Sequence, residues 1–184
     1  IAFYIFFKVR HDATEKIYEL QSNNIMIFKN IVSDKLKEYE RQLKYLAKDT
    51  DIQSLDYNRL ERSITHFLDS NDFFSTIFIF DKEGKLLIPL YKNKSKGEFN
   101  LIGLNFLSNS NKEHFKTKTA LKLAIEKREL IRLQWNEFER QQTYLQILLP
   151  IFAFEDQEEL IGIISARVSL YSTELASLMD FFHL

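Results

Sequence analysis

The stretch FSTIFIFDKEGKLLIPL, residues 74–90, decides the fold class of this chain. Its first part is rich in β-branched and aromatic residues and its last part is an apolar return segment, as expected of two β-strands. Between them, residues 81–85 supply turn chemistry, and Gly84 can adopt the positive φ that a tight hairpin needs. Pro89 lacks a backbone donor, so the return strand is predicted to lie at a sheet edge.

Three further strands are predicted in the second half of the chain, at about 130–138, 143–152 and 160–168. The last two are joined by a polar turn at residues 155–159. Strands that follow each other through short turns pair antiparallel. The sequence therefore predicts an antiparallel sheet of about five strands.

A long helix is predicted over about residues 12–48, because this stretch has no Gly or Pro and its apolar residues recur at helical spacing. Charged residues, among them Glu40 and Lys44, are predicted to form its polar side. Coiled-coil pairing would explain the length, but the heptad phase slips near Ile31, which favours packing on one face of the sheet. Asn24 either sets the register of a helix pair or is solvated. Shorter helices are predicted at about 56–69, at 111–127 and from 172 onward.

Composition removes several classes of function. The 184 residues carry 25 Lys and Arg against 26 Asp and Glu, so there is no basic excess for nucleic acid. There is no cysteine, which excludes disulfides, thiol nucleophiles and Cys-bound metals. The four glycines form no phosphate-binding loop, and the four histidines show no metal-ligand spacing. We predict no catalytic residue, no metal and no cofactor.

Both ends of the sequence are apolar. Residues 1–7 read IAFYIFF and are followed by Lys8 and Arg10. A bilayer crossing needs about 20 residues, so this run is predicted to be the end of a membrane helix, or else an apolar helix start that packs on a partner. Residues 178–184 are predicted to lead toward a second membrane helix.

Several segments, in chain order, resemble motifs of the Cache domains, which are PAS-like extracellular sensors. The turn DKEGKL at residues 81–86 resembles their first hairpin, and LIGLNFLS at 101–108 resembles the loop that follows it. EHFK at 113–116, with Ala120, resembles the start of their pocket helix. LLPIF at 148–152 with LIGII at 160–164 is similar to their last hairpin. The long leading helix and the single sheet are similar to the single-Cache type.

The resemblance implies an α+β, PAS-like fold with the long N-terminal helix packed on one face of the sheet. It implies the end of a first membrane helix at 1–7, leading helices at 8–70, a Cache sheet domain at 71–171 and a helix toward a second membrane span at 172–184. The implied function is ligand sensing on the periplasmic side of a bacterial cytoplasmic membrane. The output would be a histidine kinase, a cyclic-di-GMP enzyme or a chemoreceptor, and the chain would form a homodimer through its long helix.

Two other functions stay open. One is a ligand-free, PAS-like module for dimerisation or protein interaction, which the long helix favours. The other is a cytosolic PAS-type sensor, which the apolar N-terminal end disfavours.

Strand alternation suggests where a ligand would bind. Each of the last three strands has one apolar side and one side that bears polar residues, and we hypothesise that the polar sides converge on a pocket. The alternative is a solvated sheet face. The candidate ligand-binding residues are Lys112, His114 and Phe115 as a lid, with Arg132, Gln134, Tyr144, Gln146, Ser165 and Arg167 on the strands.

The resemblance also bears on the ligand. Family members that bind amino acids are similar to one another in an RxWY lid and in an Asp of the last strand that accepts the ammonium group. Here the lid reads KEHF at 112–115, and Arg167 occupies the Asp position. Because Arg pairs with carboxylates, a small organic anion is predicted. The alternative for Arg167 is a surface ion pair.

Overall fold

The computed structural model describes residues 2–91, 102–108, 115–137, 142–156 and 158–169. Its helices are α1 (Ala2–Ala47), α2 (Thr50–Gln53), α3 (Tyr57–Ser70) and α4 (Phe115–Lys127). Its strands are β1 (Phe74–Asp81), β2 (Leu86–Tyr91), β3 (Ile131–Glu137), β4 (Gln142–Phe152) and β5 (Leu160–Ser169). The α+β class and the five strands of the sequence prediction are confirmed.

The five strands form one antiparallel sheet in the order β2-β1-β5-β4-β3. β2 lies at an edge, as Pro89 predicted. β5, the last of these strands along the chain, pairs with both β1 and β4 and so lies at the centre. Side chains that are paired across the ladder share a face of the sheet, so the register decides which residues can meet.

Aspartate side chains set the boundaries of the helices that precede the sheet. Asp49 accepts a hydrogen bond from the backbone nitrogen of Asp51 at 2.9 Å and another from Ser63 Oγ at 2.8 Å. Asp56 accepts from the backbone nitrogen of Arg59 at 3.1 Å, which caps α3. Such caps satisfy backbone donors that have no partner inside the helix. The sequence predicted the end of the long helix near residue 48 but not the short α2.

The β1–β2 hairpin is held by its turn and by the segment 102–108. Asp81 Oδ1 accepts from the backbone nitrogens of Glu83 and Lys85, at 3.0 and 2.8 Å. Gly84 has a φ of 78°, and a Cβ there would lie 2.6 Å from Cγ of Leu107. The backbone nitrogen of Phe106 donates to the Gly84 carbonyl at 2.9 Å. This bond fixes the segment against the hairpin and directs the Phe106 ring into the core.

The sheet is covered on both faces. We call the face that packs against α3 the α3 face, and the face that packs against α4 the α4 face. The α3 face carries six fully buried apolar residues: Ile77, Ile79, Ile147, Ile164, Ala166 and Val168. Helix α3 contacts β1 and β2. The α4 face carries Phe78, Phe80, Leu148 and Ile163, which pack with Ala120, Leu121 and Ala124 of α4. Because both faces hold a dense apolar core, polar side chains within them need a specific explanation.

The described residues divide into two units, 2–39 and 40–169. In the first unit, α1 exposes Ile17, Leu20 and Ile27. In the second, residues 40–47 of α1 bury Leu43 and Leu46. Among the described residues, no helix combines the length and the apolar character that a bilayer crossing needs. The predicted helix at 172–184 lies outside the described residues.

Candidate ligand-binding site

The α4 face changes from apolar to polar along the strands. Near the end of β1 it carries Phe80, which is paired with Ile163, and both pack against α4. Near the start of β1, four polar side chains occupy the same face. We call them the polar cluster: Thr76, Gln146, Ser165 and Arg167. The cluster is held together by the register, in which Arg167 is opposite Thr76 on one side and Gln146 on the other.

Gln146 and Ser165 are fully buried. Gln146 Nε2 donates to Ser165 Oγ at 2.7 Å, while Gln146 Oε1 has no hydrogen-bond partner among the described residues. More than about 90% of buried polar groups in folded proteins are hydrogen-bonded. An unsatisfied one costs about 1–3 kcal/mol. The Gln146 carbonyl is therefore a buried acceptor that a donor on a bound molecule could satisfy.

Arg167 is half-buried at the side of the cluster. Its guanidinium carbon lies 5.1 Å from the centroid of the Phe78 ring. A cation in this position gains about 0.5–2 kcal/mol from the ring and is held in place by it. The planar guanidinium fork can bind a carboxylate through two parallel hydrogen bonds. A positive, oriented donor thus lies beside a buried neutral acceptor.

The prediction that Arg132 and Gln134 join this site was wrong. In the ladder, Arg132 is opposite Ile147 and Gln134 is opposite Leu145, whereas the apolar Leu133 is opposite Gln146. The polar side of β3 therefore lies on the α3 face, away from the cluster. Alternation along one strand says which residues share a face, but only the register between strands says which face that is.

Arg132 instead forms a salt bridge on the α3 face. Its Nε donates to Oε1 of Glu40 at 2.5 Å. The Glu40 residue is only 9% exposed, although the sequence placed it on the polar side of α1. The hydrogen bond with Glu40 raises the pKa of Arg132 above its ordinary value, and burial partly opposes that rise. Arg132 thus joins residues 40–47 of α1 to an edge strand.

The other predicted site residues lie in or beside the α4 face, or outside the described residues. Tyr144 is half-buried and shares its strand face with Gln146. Lys112 and His114 lie outside the described residues. Phe115 begins α4, but its side chain is also outside them.

Two residues of these polar contacts, Thr76 and Glu40, were not predicted from the sequence. Thr76 is 5% exposed and alternates with Phe78 and Phe80 along β1. That alternation was the available signal, because it places a polar side chain on an otherwise aromatic face. Glu40 precedes Leu43 by three positions on α1, a spacing that puts both on the same side of a helix.

No protein-family model and no curated protein sequence matches this chain. Several solved structures are similar to this chain in fold. The sensory domain of the Campylobacter jejuni chemoreceptor Tlp3 has a TM-score of 0.64 at 16% identity, over 90% of this chain and 64% of that chain. The same domain in complex with L-valine has a TM-score of 0.62 at 15% identity, over 91% of this chain and 64% of that chain. An extracellular ligand binding receptor from Desulfohalobium retbaense has a TM-score of 0.62 at 12% identity, over 86% of this chain and 26% of that chain.

This chain spans less than two thirds of each of these structures. At such identities the likeness shows the fold, which is the fold of extracellular sensory domains. It confirms the PAS-like fold that the resemblance to Cache domains implied.

Proposed function

We propose that this chain is the extracytoplasmic ligand-sensing domain of a bacterial transmembrane receptor, and that the polar cluster contacts its ligand. The observation that carries the proposal is the buried, unpartnered Gln146 Oε1 beside the Arg167 guanidinium. The sensory-domain fold supports it. So do the neighbours, since the Tlp3 domain is known with L-valine and with isoleucine bound.

The chemistry of the cluster favours an organic anion as the ligand. Arg167 offers paired donors to a carboxylate and would repel an ammonium group. Gln146 Oε1 accepts a hydrogen bond, which a hydroxyl or amide group of the ligand can donate. In this proposal Lys112, His114 and Phe115 form a lid, and Tyr144 lies beside the ligand. A small hydroxy acid or related carboxylate fits both requirements.

A matched set of compounds tests the ligand class. L-valine, 2-hydroxy-3-methylbutanoate and isobutylamine share a branched apolar body but differ in their charged groups. We expect the hydroxy acid to raise the thermal midpoint of the chain, because a ligand at 100 times its Kd adds about 2.7 kcal/mol of stability. Isobutylamine should give no shift. Other small carboxylates and phosphate esters complete the screen.

Two variants locate the binding. Arg167→Ala should abolish the shift, whereas Arg132→Ala, on the opposite face of the sheet, should leave the compound-induced shift unchanged. Binding of the amine without the carboxylate would reject the anion. No shift with any compound would favour the ligand-free module.

The membrane arrangement is part of the same proposal. We propose that residues 1–7 end a first membrane helix, that 172–184 lead to a second, and that the sheet domain faces the periplasm. The apolar composition of both segments supports this topology. The cytoplasmic output would be a histidine kinase, a chemoreceptor or a cyclic-di-GMP enzyme. Alkaline phosphatase fused within the sheet domain of the full-length protein should be active, and an inactive fusion would argue for a cytosolic domain.

A second candidate function is dimerisation without a ligand. Ile17, Leu20 and Ile27 are exposed on α1, and with Asn24 they follow the alternating spacing of three and four that forms a coiled-coil seam. The seam supports a homodimer in either candidate function. Leu20→Glu should shift the chain to monomer in sedimentation velocity, whereas Lys29→Glu should not. A Leu20→Glu variant that still sediments as a dimer would exclude this seam.

A further inference from the structure

A groove of about 700 Å³ lies where α1 ends, away from the polar cluster. Its lining comes from the end of α1, from Gln53 of α2, from the connection between α4 and β3, and from the end of β4 with the turn that follows it. None of the polar cluster lines it. Ligand sites in proteins typically have volumes of about 300–1,000 Å³ and an apolar lining with a few polar groups. The groove therefore has the dimensions of a second small-molecule site.

The charge of the groove is mainly positive. Lys44, Lys48 and Arg128 line it, and Glu129 is the one acid among the described residues that do so. None of these three cations forms a salt bridge with a carboxylate of the described residues. Arg128 Nη1 donates to the backbone carbonyl of Glu158 at 2.9 Å, which orients the guanidinium without neutralising it. An anion in the groove would meet three cations.

The backbone of Arg128 adds an independent observation. Arg128 has a φ of 54° and directly follows α4, with its backbone nitrogen donating to the Ala124 carbonyl at 3.0 Å. Glycine is the usual residue at this position, because a side chain makes the left-handed conformation unfavourable. Here the position holds an arginine whose side chain lines the groove.

The walls of the groove are apolar. The buried Leu149 lines it, together with Pro150 and Phe152. The Phe154 ring is 74% exposed, which is uncommon for so large an aromatic side chain. A ring or branched body placed against Phe154 and Phe152 would remove that apolar surface from water.

We propose that this groove is a second ligand site, specific for a carboxylate with a bulky apolar body. The carboxylate would bind Arg128 with Lys44 and Lys48, and the body would pack against Phe154 and Leu149. A concave site of this volume suits a small molecule rather than an acidic protein, since protein interfaces bury about 1,200 Å² or more.

Calorimetry with 2-naphthoate and its neutral isostere 2-naphthamide tests the charge requirement. We expect 2-naphthoate to bind and 2-naphthamide to bind at least about tenfold more weakly. Arg128→Gly should weaken 2-naphthoate about tenfold without unfolding the chain, because glycine accepts the positive φ at this position. Lys44→Gln with Lys48→Gln should weaken it similarly. Lys122→Gln, an exposed lysine of α4 outside the groove, is the matched control and should bind as the parent does.

Gln146→Leu separates this groove from the polar cluster. It should leave 2-naphthoate binding unchanged, and the groove proposal stands even if the cluster binds nothing. Loss of binding in Gln146→Leu together with full binding in Arg128→Gly would place the acid in the cluster and overturn the proposal. Equal affinity for acid and amide, or no binding of 2-naphthoate, would also overturn it. So would concentration-dependent self-association that Arg128→Gly abolishes, since a second copy would then cover the groove.

Discussion

The two faces of the sheet each contain buried polar groups, and two of these groups differ in their hydrogen-bond partners. On the α3 face, the nearly buried Glu40 accepts a hydrogen bond from Arg132 in a salt bridge. On the α4 face, Gln146 Nε2 donates a hydrogen bond to Ser165 Oγ, whereas Gln146 Oε1 has no partner among the described residues. The buried charge of Glu40 is thus paired within the protein, whereas the buried Gln146 amide keeps an acceptor without a partner among the described residues.

Buried polar residues in this fold have different roles according to whether they are paired. A buried charge that is paired joins two elements and fixes their geometry, whereas a buried acceptor without a partner has a cost that only a ligand or water can remove. Residue type alone would have favoured Arg132 as a ligand-binding residue. Its partner shows that it is structural, and the neutral Gln146 becomes the stronger candidate.

The largest expected effect compares two adjacent core residues of β4. Ile147 and Leu148 are both fully buried, Ile147 on the α3 face and Leu148 on the α4 face opposite Ser165. Ile147→Ala and Leu148→Ala should each lower the free energy of unfolding by about 2–5 kcal/mol, because each leaves a cavity. Urea unfolding measures this loss.

The two variants should differ in their affinity for the ligand. Leu148→Ala should also weaken the carboxylate found in the compound screen, because it changes the wall beside Ser165. Ile147→Ala should bind that carboxylate as the parent does. Equal weakening in both variants would mean that ligand binding does not depend on the α4 face more than on the α3 face, and it would contradict the proposed location of the ligand.

A smaller effect is expected for the salt bridge on the α3 face. Arg132→Met leaves the Glu40 carboxylate nearly buried without its partner. Since the Arg132 side chain is 55% exposed and water can replace it, we expect a loss of about 1 kcal/mol in unfolding free energy. Adding Glu40→Gln to Arg132→Met should recover most of that loss. A double variant as unstable as Arg132→Met alone would show that the carboxylate charge was not the cause.

The pH dependence of the Arg132 contribution follows from the direction of its pKa shift. A raised pKa in the folded state means that the stabilisation is complete below the unfolded pKa and is lost only as the pH rises through the folded pKa. Both values lie far above neutrality, so the contribution of the arginine charge should stay constant between about pH 6 and 9.

Most of the fold could be predicted from the sequence because its signals are local. β4 was predicted at about 143–152 and is observed at Gln142–Phe152, since alternation and flanking turn residues define a strand without long-range information. Pro89 correctly indicated the sheet edge. Helix α2 was not predicted, because its four residues are too few to show a helical period.

The candidate site was only partly predictable, because it depends on register. Gln146, Ser165 and Arg167 do share one face of the sheet, on strands joined by a short polar turn. For β3 the prediction failed, since shifting a strand by one position moves all its side chains to the other face. Glu40 could not be recognised as buried from charge alone, because its partner is distant in the sequence.

The double variant Gln146→Leu with Ser165→Ala should have the smallest effect on stability and the largest loss of ligand binding. In Gln146→Leu with Ser165→Ala, both hydrogen-bonding partners and the unpartnered Oε1 are removed together. Replacing both members of a buried polar pair by apolar groups is nearly neutral or stabilising, so the unfolding free energy should stay within about 1 kcal/mol of the parent. Binding of the carboxylate should be lost, because its acceptor is gone.

The matched control for this double variant is Gln134→Leu, which changes an exposed glutamine of β3 on the α3 face and should alter neither stability nor binding. Gln146→Leu alone should be less stable than the double variant, because it leaves the buried Ser165 hydroxyl without its partner. If the double variant instead loses several kcal/mol and still binds the carboxylate, the Gln146–Ser165 pair is structural. The pair would then have the same structural role as the Glu40–Arg132 salt bridge, and the ligand site would have to lie elsewhere.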